Sequence, residues 1–327
     1  MSNLKKISIV SSCFNEEDNV EELAQRVKKQ MDKYEKKYDW EQILVDNHST
    51  DNTEQKLRQL ARKDKHIKII LNARNFGHIR SPYWAIINGS GDAVIYMASD
   101  LQDPPELIEK FIKKWEEGYL IVLGQKQQSE EGFLFSFVRK CFYWFINKIN
   151  DTGADLVKQC TGFGLFDRKV IDIMKSTEDT YPYLRGLLCE IGFEKALIPF
   201  IQPKRKKGFS KNNFYTLYDN AMIGIVKHSK VPLRIMTFAG FLLSGLSFLL
   251  SLGYFIAKIL YWDKFHMGTA PILIGMFFFA SVQLFFMGVL GEYIGAIYTR
   301  IDKKPIVIEK ERINFDTNGE LNDKQNL

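Results

Sequence analysis

Apolar and polar positions follow two different rhythms along this chain. Up to Leu123, short apolar runs recur between longer stretches of helical spacing: Ile7–Cys13, Ile43–Val45, Ile67–Leu71, Ala93–Met97 and Leu120–Leu123. Runs this short, bounded by polar loops, read as buried strands. The stretches between them read as helices: one from Asn19 to Lys37, one including Leu57 and Leu60, and one after Gly77. A fourth carries Leu107, Ile108, Phe111 and Ile112 on its apolar side. Asp51 and Glu54 offer a capping pair for the second helix, and Pro104 and Pro105 suit the first turn of the fourth. The alternation predicts an α/β fold, a mostly parallel sheet with helices on both faces. Ligands of such sheets bind beyond the carboxyl ends of the strands. Three polar clusters fall there: Asn15-Glu16, Asp46, and Asp100-Leu101-Gln102-Asp103.

After Val231 the rhythm changes. Neither Ile235–Ala257 nor Ala270–Gly291 contains a charged residue, and each is long enough to cross a hydrocarbon core of roughly 30 Å as a helix. Soluble helices rarely stay charge-free all round for that length. Tyr254, Tyr261, Trp262, Tyr293 and Tyr298 fall near the proposed interfaces, as aromatic belts do. Lys204, Arg205, Lys206, Lys207, Lys211, Lys227, Lys230 and Arg234 precede or open the first run, and Arg300, Lys303 and Lys304 follow the second. The connector has only Lys258, Asp263, Lys264 and His266. By the positive-inside rule the two runs form a hairpin with both flanks in the cytoplasm, in an inner or plasma membrane. Asn212–Lys227 is amphipathic, which suits a helix lying on the membrane and equally one packed on the preceding domain. The polar chain after Glu309 is expected to be disordered.

Composition adds three limits. The net charge of +6 is modest, and a basic cluster beside an apolar span points to anionic lipid head groups ahead of nucleic acid. Cys13, Cys141, Cys160 and Cys189 are scattered without a CxxC spacing, which argues against a zinc site or a disulfide framework. Met1–Lys6 lacks the apolar core of a signal peptide.

Strand-end carboxylates can bond a base or ribose and can hold a divalent metal. A single strand-end Asp is more often a cap or turn former. Asp46 and Asp100 together with Asn15, Glu16 and Gln102 make a stronger set.

Several runs carry a resemblance: Cys13-Phe14-Asn15-Glu16-Glu17, Val45-Asp46 with Ser49-Thr50-Asp51, Arg74-Asn75-Phe76-Gly77, and Asp100-Leu101-Gln102-Asp103-Pro104-Pro105-Glu106. Arg185-Gly186, Gly208-Phe209-Ser210-Lys211, Pro232-Leu233-Arg234 and Gly291-Glu292-Tyr293-Ile294-Gly295 extend it to about Ile308. Together they resemble the family 2 inverting glycosyltransferases. The similarity is to the polyprenyl-phosphate branch, which includes dolichol-phosphate mannose synthase and the bactoprenol glucosyltransferases. The resemblance implies a Rossmann-like nucleotide-sugar transferase fold followed by a two-helix transmembrane hairpin. It implies transfer of one sugar, glucose-like, from a UDP- or GDP-linked donor to a polyprenyl phosphate, with Mg²⁺ or Mn²⁺.

By the same resemblance Asn15 and Glu16 match the nucleotide loop, and Asp46 the carboxylate that reads the base. Asp100 and Gln102 match the metal and diphosphate positions, with Ser99 beside them. Arg205 and Lys211 match a basic segment for the lipid phosphate. Arg74 and Arg80 suit either phosphate or neighbouring acids; His48 and His78 lie near the cleft, where a loop or surface histidine is the simpler reading. Glu292 reads as an interior functional group or an interfacial one.

Four positions depart from the family pattern. The second of two adjacent acids is Asn47. The D-x-D is Ala98-Ser99-Asp100. The G-D-F-R stretch is Thr161-Gly162-Phe163-Gly164, and the arginine-rich segment is Gln125-Lys126-Gln127-Gln128. A processive polysaccharide synthase is the nearest rival, but its Q-x-x-R-W motif is absent. A catalytically silent membrane adaptor is the other rival, supported by Ala98 and Gly162. The expected organisation is a cytoplasmic catalytic domain over 1–205 and a basic juxtamembrane helix over 206–232. Two transmembrane helices over 233–299 and a partly disordered cytoplasmic tail over 300–327 complete it. A homo-oligomer is compatible with the sequence.

Overall fold

The structure, a computed structural model, describes residues 4–127, 160–177, 179, 181–203, 231–260, 269–301 and 304–315. The expectations for Arg205, Lys211 and the amphipathic stretch 212–227 lie outside these residues. The chain falls into two compact units, one of Met1–Tyr143, Ala154–Asn212 and Asp302–Leu327, and a second of Trp144–Gly153 and Asn213–Ile301.

The first unit contains an eight-stranded sheet. Its strands are β1 (Lys5–Cys13), β2 (Tyr38–Asp46), β3 (Ile67–Asn72), β4 (Ala93–Tyr96), β5 (Ile121–Lys126), β6 (Cys160–Asp167), β7 (Lys195–Phe200) and β8 (Glu309–Ile313). They lie in the order β7-β5-β6-β4-β1-β2-β3-β8. β1 is parallel to both β2 and β4, and β2 is parallel to β3. The chain therefore winds outward in one direction from β1 to β3 and then jumps back across β1 to β4. A crevice opens at such a reversal, beyond the carboxyl ends of β1 and β4. β6 enters antiparallel between β4 and β5, and β7 runs parallel to β5.

The helices are α1 (Val20–Met31), α2 (Thr53–Lys63), α3 (Gly77–Ile87), α4 (Ile108–Glu116), α5 (Arg168–Ser176) and α6 (Leu184–Glu190). One core joins α1, α2 and α4 to one face of the sheet through Leu23, Leu57, Phe111 and Phe163. The other joins α3, α5 and α6 to the opposite face through Tyr83, Ile171, Leu188 and Phe166. Each large side chain so buried contributes about 1.5–3 kcal/mol. Helices on both faces of a mostly parallel sheet are what the hydrophobic rhythm predicted.

Element ends differ from the sequence expectation for identifiable reasons. α1 stops at Met31, and a 3-10 turn, Asp32–Tyr34, takes over. β2 begins at Tyr38, well before its apolar run, because Glu41 and Gln42 are buried polar residues inside it. The expected Asp51–Glu54 capping pair does not form. Asp51 Oδ1 accepts the Thr53 N–H at 3.0 Å, while Glu54 pairs with Arg58 at 2.9 Å. Pro105 opens a 3-10 turn that leads into α4.

The largest difference is at the C-terminus. Glu309–Ile313, expected to be disordered, forms β8 antiparallel to β3. Its charges look solvent-bound in sequence but are used locally. Glu311 pairs with Arg58 at 2.5 Å, Glu309 accepts from Trp84 Nε1 at 2.5 Å, and Asn314 Nδ2 donates to the Ala61 and Ile67 carbonyls. Such a charged outer strand also blunts the sheet edge.

The second unit contributes α7 (Val231–Leu260) and α8 (Thr269–Ile301). Val231–Ala257 and Phe278–Tyr298 are long and apolar enough to cross a membrane. Phe241, Leu242, Leu284 and Phe285 are exposed along them. Lys258, expected in the connector, is part of α7, and residues 261–268 lie outside the description.

Candidate functional site

The carboxyl ends of β1, β2 and β4 bring together three loops with one property in common. Each contains a non-glycine residue in the left-handed region: Asn15 (φ 57°), His48 (φ 64°) and Leu101 (φ 61°). That backbone costs about 1 kcal/mol per residue for an L side chain, and such outliers persist where surroundings hold them.

Hydrogen bonds between the first two loops hold them here. The Asn15 N–H donates to Ser49 Oγ at 2.9 Å, its Nδ2 donates to Thr50 Oγ1 at 3.1 Å, and its Oδ1 accepts the Thr50 N–H at 2.8 Å. The Glu16 N–H donates to Thr53 Oγ1 at 2.9 Å, and the Glu16 carboxylate accepts from Asn19 Nδ2 at 2.6 Å. Asn15 and Glu16 are thus fixed relative to the loop that follows Asp46. Asp46 itself is 1% exposed; it accepts the Ser49 N–H at 3.1 Å and the Ser49 hydroxyl at 2.5 Å. Burial raises its carboxyl pKa above the ordinary value despite the two Ser49 bonds, with Glu54 and Asp51 adding to the rise. No basic side chain among the described residues forms an ion pair with it.

Asn47, a departure from the resemblance, is the hub of the next loop. Its Nδ2 donates to Asn75 Oδ1 at 2.9 Å and to the Gly77 carbonyl at 3.3 Å. Its Oδ1 accepts the Phe76 N–H at 2.9 Å and Asn72 Nδ2 at 3.0 Å. A carboxylate could accept but could not donate to Asn75 and Gly77, so the amide is what this arrangement requires. The loop it holds carries Arg74, exposed, with its guanidinium 4.1 Å from the Phe76 ring centroid. Arg80 lies over Tyr181, 5.3 Å from its ring centroid.

The third loop leaves β4 through Ala98, Ser99 and Asp100. Ser99 is buried and its hydroxyl donates to the Ser12 carbonyl at 2.9 Å, tying the end of β4 to the end of β1. Asp100 is half-buried and accepts the Gln102 N–H at 3.1 Å, a turn made possible by Leu101. Asp103 was read only as part of a motif; it is 3% exposed and accepts the Ala98 N–H at 2.9 Å. Burial pushes Asp103 up to about 6, with the Ala98 N–H and Lys126 opposing and Asp100 reinforcing. Two acids three residues apart, just before Pro104-Pro105, were the sequence signal for it.

Asp100 and Gln102 offer oxygen donors on one tight turn, with Asp103 close enough for its charge to be felt. This suits a hard divalent cation, which takes one or two protein carboxylates and fills its remaining positions with water and phosphate oxygens. No cluster of three or more His, Cys, Asp or Glu is present among the described residues. The oxygen donors of Asp100 and Gln102 are of the kind that Mg²⁺ or Mn²⁺ takes alongside phosphate oxygens.

Cys13, at the end of β1, is an inert thiol. Burial pushes its pKa far above the ordinary value, with Asp46 adding to the rise and Ser99 opposing. Cys13, Cys160 and Cys189 are all buried. A cavity of about 840 Å³ opens at the opposite, amino-terminal edge, beside Lys5, Trp40, His66 and Asp92. Trp40 and His66 stack there with ring centroids 4.5 Å apart.

Comparison with known proteins gives the family. Residues 8–173 match the family model for glycosyl transferase family 2. The uncharacterised glycosyltransferase YkcC of Bacillus subtilis is 33% identical, over 94% of this chain and 94% of its own. The bactoprenol glucosyl transferase of Shigella phage SfII is 32% identical, over 94% of this chain and 98% of its own. Among solved structures, the mannosyltransferase PcManGT from Pyrobaculum calidifontis, in complex with GDP-Man and Mn²⁺, aligns with a TM-score of 0.46 at 13% identity, over 93% of this chain and 89% of its own. Half of the chain fits the family model and the relatives span nearly all of it, so this protein belongs to glycosyl transferase family 2.

Proposed function

We propose that this glycosyltransferase moves a single sugar from a UDP- or GDP-linked donor to a polyprenyl phosphate, with inversion, at the cytoplasmic face of a membrane. The observation that carries the reading is the likeness to a bactoprenol glucosyl transferase over 308 residues, a span too long to leave out the two apolar helices. Topology supports the membrane part. β8 follows α8 in sequence yet lies in the same sheet as the strands that precede α7. A chain that crosses a bilayer between them must cross an even number of times. With two candidate spans, that means a hairpin whose flanks share one side, and their cations favour the cytoplasm.

In this reading Asp46 bonds the base, and the loop of Asn15 and Glu16 encloses the nucleotide. Arg74 and Ser99 complete the donor side, Arg74 by meeting phosphate and Ser99 by holding the β4 loop against β1. Asp100 and Gln102 hold Mg²⁺ or Mn²⁺, which when bound neutralises charge on the leaving diphosphate. Arg205 and Lys211 meet the phosphate of the acceptor. A phosphate oxygen of the lipid forms the new bond to the anomeric carbon. The bond to the nucleoside diphosphate breaks on the opposite face, and its electron pair leaves with that group. A phosphate monoester, with a second pKa of about 6, is already ionised near neutrality. No strong general base is required, which accounts for Gly162 where the family carries an acid. Orientation and stabilisation of the leaving charge supply the rate.

The test incubates the purified full chain with undecaprenyl phosphate and a panel of UDP- and GDP-sugars, with and without Mg²⁺ or Mn²⁺. Mass spectrometry of the lipid fraction is expected to show one hexose added in the presence of metal. Nucleotide binding without any product from the whole panel would favour a silent adaptor. Long glycans would favour a polysaccharide synthase.

A further inference from the structure

β8 does not pair evenly with β3. Ile70 aligns with Arg312 and Leu71 with Glu311, but Asn72 aligns with Glu309, which leaves Lys310 as an extra residue. A bulge of this kind re-aims the side chains around it. Glu309 and Arg312, three residues apart, would lie on opposite faces of a regular strand. The bulge brings both to the face that α3 covers. There Glu309 accepts from Trp84 Nε1 at 2.5 Å. Arg312 donates to the Glu309 carboxylate at 2.5 Å and to Asn88 Oδ1 at 2.7 Å. Glu311 points the other way and pairs with Arg58 of α2.

The residues just before Glu309 reach the loop that carries Arg74. The Ile308 carbonyl accepts the Ala73 N–H at 2.9 Å, one residue before Arg74. Val307 is buried, and Ile306 packs against the same core as Trp84 and Ile87 of α3. Asn47 holds the other end of this loop through Asn75, Phe76 and Gly77. α3, which continues the loop, depends on such outside contacts. Pro82 lies inside it and removes one of its own backbone hydrogen bonds. The outer support thus comes from a residue 225 positions after Trp84, beyond both apolar helices in sequence.

We propose that Glu309, aimed by the Lys310 bulge, is a positioning residue for the donor: through Trp84, and together with the Ile308 carbonyl, it fixes α3 and the 73–77 loop so that Arg74 meets the diphosphate. This deepens the proposed function, since it rests on that reading's placement of Arg74 on the donor side.

The test compares Glu309→Ala with Glu311→Ala in the full chain. Both remove an ion pair from β8, but only the first lies on the α3 face. Glu309→Ala should raise the KM for the nucleotide-sugar several-fold, with kcat and the KM for undecaprenyl phosphate little changed. Amide exchange over 73–77, read without any ligand, should quicken several-fold, while the loops around Asn15 and His48 keep their rates. Glu309→Gln keeps an oxygen that accepts from Trp84 and should restore most of the donor affinity. Glu311→Ala should leave both the donor KM and the exchange over 73–77 as they are. Trp84→Phe keeps a ring in place and removes only the N–H, so it tests the same contact if Glu309→Ala does not fold.

An unchanged donor KM in Glu309→Ala and Trp84→Phe overturns the proposal. So does an equal effect of Glu311→Ala, or a parallel loss in kcat and both KM values, either of which means that β8 serves only to hold the sheet together. Sugar transfer by the unaltered chain is measured alongside. Transfer with 73–77 exchange and donor KM unmoved by Glu309→Ala removes only the positioning role. Quickened exchange over 73–77 in a chain that transfers nothing from the whole panel removes the proposed function, and the donor role with it, while the support of the loop by Glu309 stands.

Discussion

Strand β2 buries one carboxylate at each end and treats the two in opposite ways. Glu41, near the amino end, is contacted by Lys6 at 3.0 Å and Lys68 at 2.8 Å, and it accepts from Ser8 Oγ at 2.6 Å and the Ser90 N–H at 2.8 Å. Burial works against its charge, but Lys68, Ser8, Ser90 and Lys6 outweigh it and bring Glu41 down to about 2. Asp46, five positions on, is buried as deeply, has hydroxyl and N–H partners from Ser49 but no ion pair with a cation among the described residues, and is raised. Asp103 on β4's loop is raised likewise. The amino edge is a finished network that spends its charge on stability. The carboxyl edge buries Asp46 and Asp103 with raised pKa values and holds three left-handed residues in place, features that gather at functional sites.

This contrast can be broken by substitution, beginning with the largest effect. Asp100→Ala should lower transfer by about two to three orders of magnitude while leaving the thermal midpoint unchanged; full turnover would remove its metal role. Removal of divalent metal by EDTA should match that loss in the native protein and add nothing in Asp100→Ala.

At the other edge the effect should reverse in kind. Glu41→Gln leaves Lys6 and Lys68 without their buried partner and should cost on the order of 3 kcal/mol of stability, with activity per folded molecule retained. The pH dependence follows from the sign of the shift. The folded-state pKa of Glu41 is depressed from 4.5 to about 2, so its contribution is complete above 4.5 and is lost as pH falls toward 2. Acid unfolding of the native chain between those values should therefore be steeper than that of Glu41→Gln, followed by circular dichroism.

Smaller effects test the supports of the carboxyl edge. Asn47→Asp retains the acceptor but removes the donors to Asn75 and Gly77, each hydrogen bond being worth about 1 kcal/mol. The expected result is a several-fold rise in donor KM with kcat little changed. Ser99→Ala loses one bond to Ser12 and should cost no more than about 1 kcal/mol.

The strand-helix alternation and the three polar loops were legible because buried parallel strands and strand-end acids leave clear local patterns. What escaped were features whose reason lies far away in sequence. Glu41 hid the start of β2, since its partners Lys68 and Ser90 come from later elements. The charged residues of β8 read as a solvated tail until Arg58 and Trp84 are seen to receive them. Asn47 read as a lost acid because its four amide contacts come from Asn72 and the loop of Asn75, Phe76 and Gly77. Asp103 was visible as a residue, but its burial and its bond to Ala98 were not.

Hydrogen–deuterium exchange on the full chain, with and without a nucleotide-sugar and Mg²⁺, tests most directly that the carboxyl edge is the donor site. Protection is predicted in the loops around Asn15, His48 and Asp100, with the amino-terminal edge around Trp40 and His66 unchanged. Protection confined to Lys5, Trp40 and His66, with the three loops unaltered, would place the donor at the wrong end of the sheet and contradict the account.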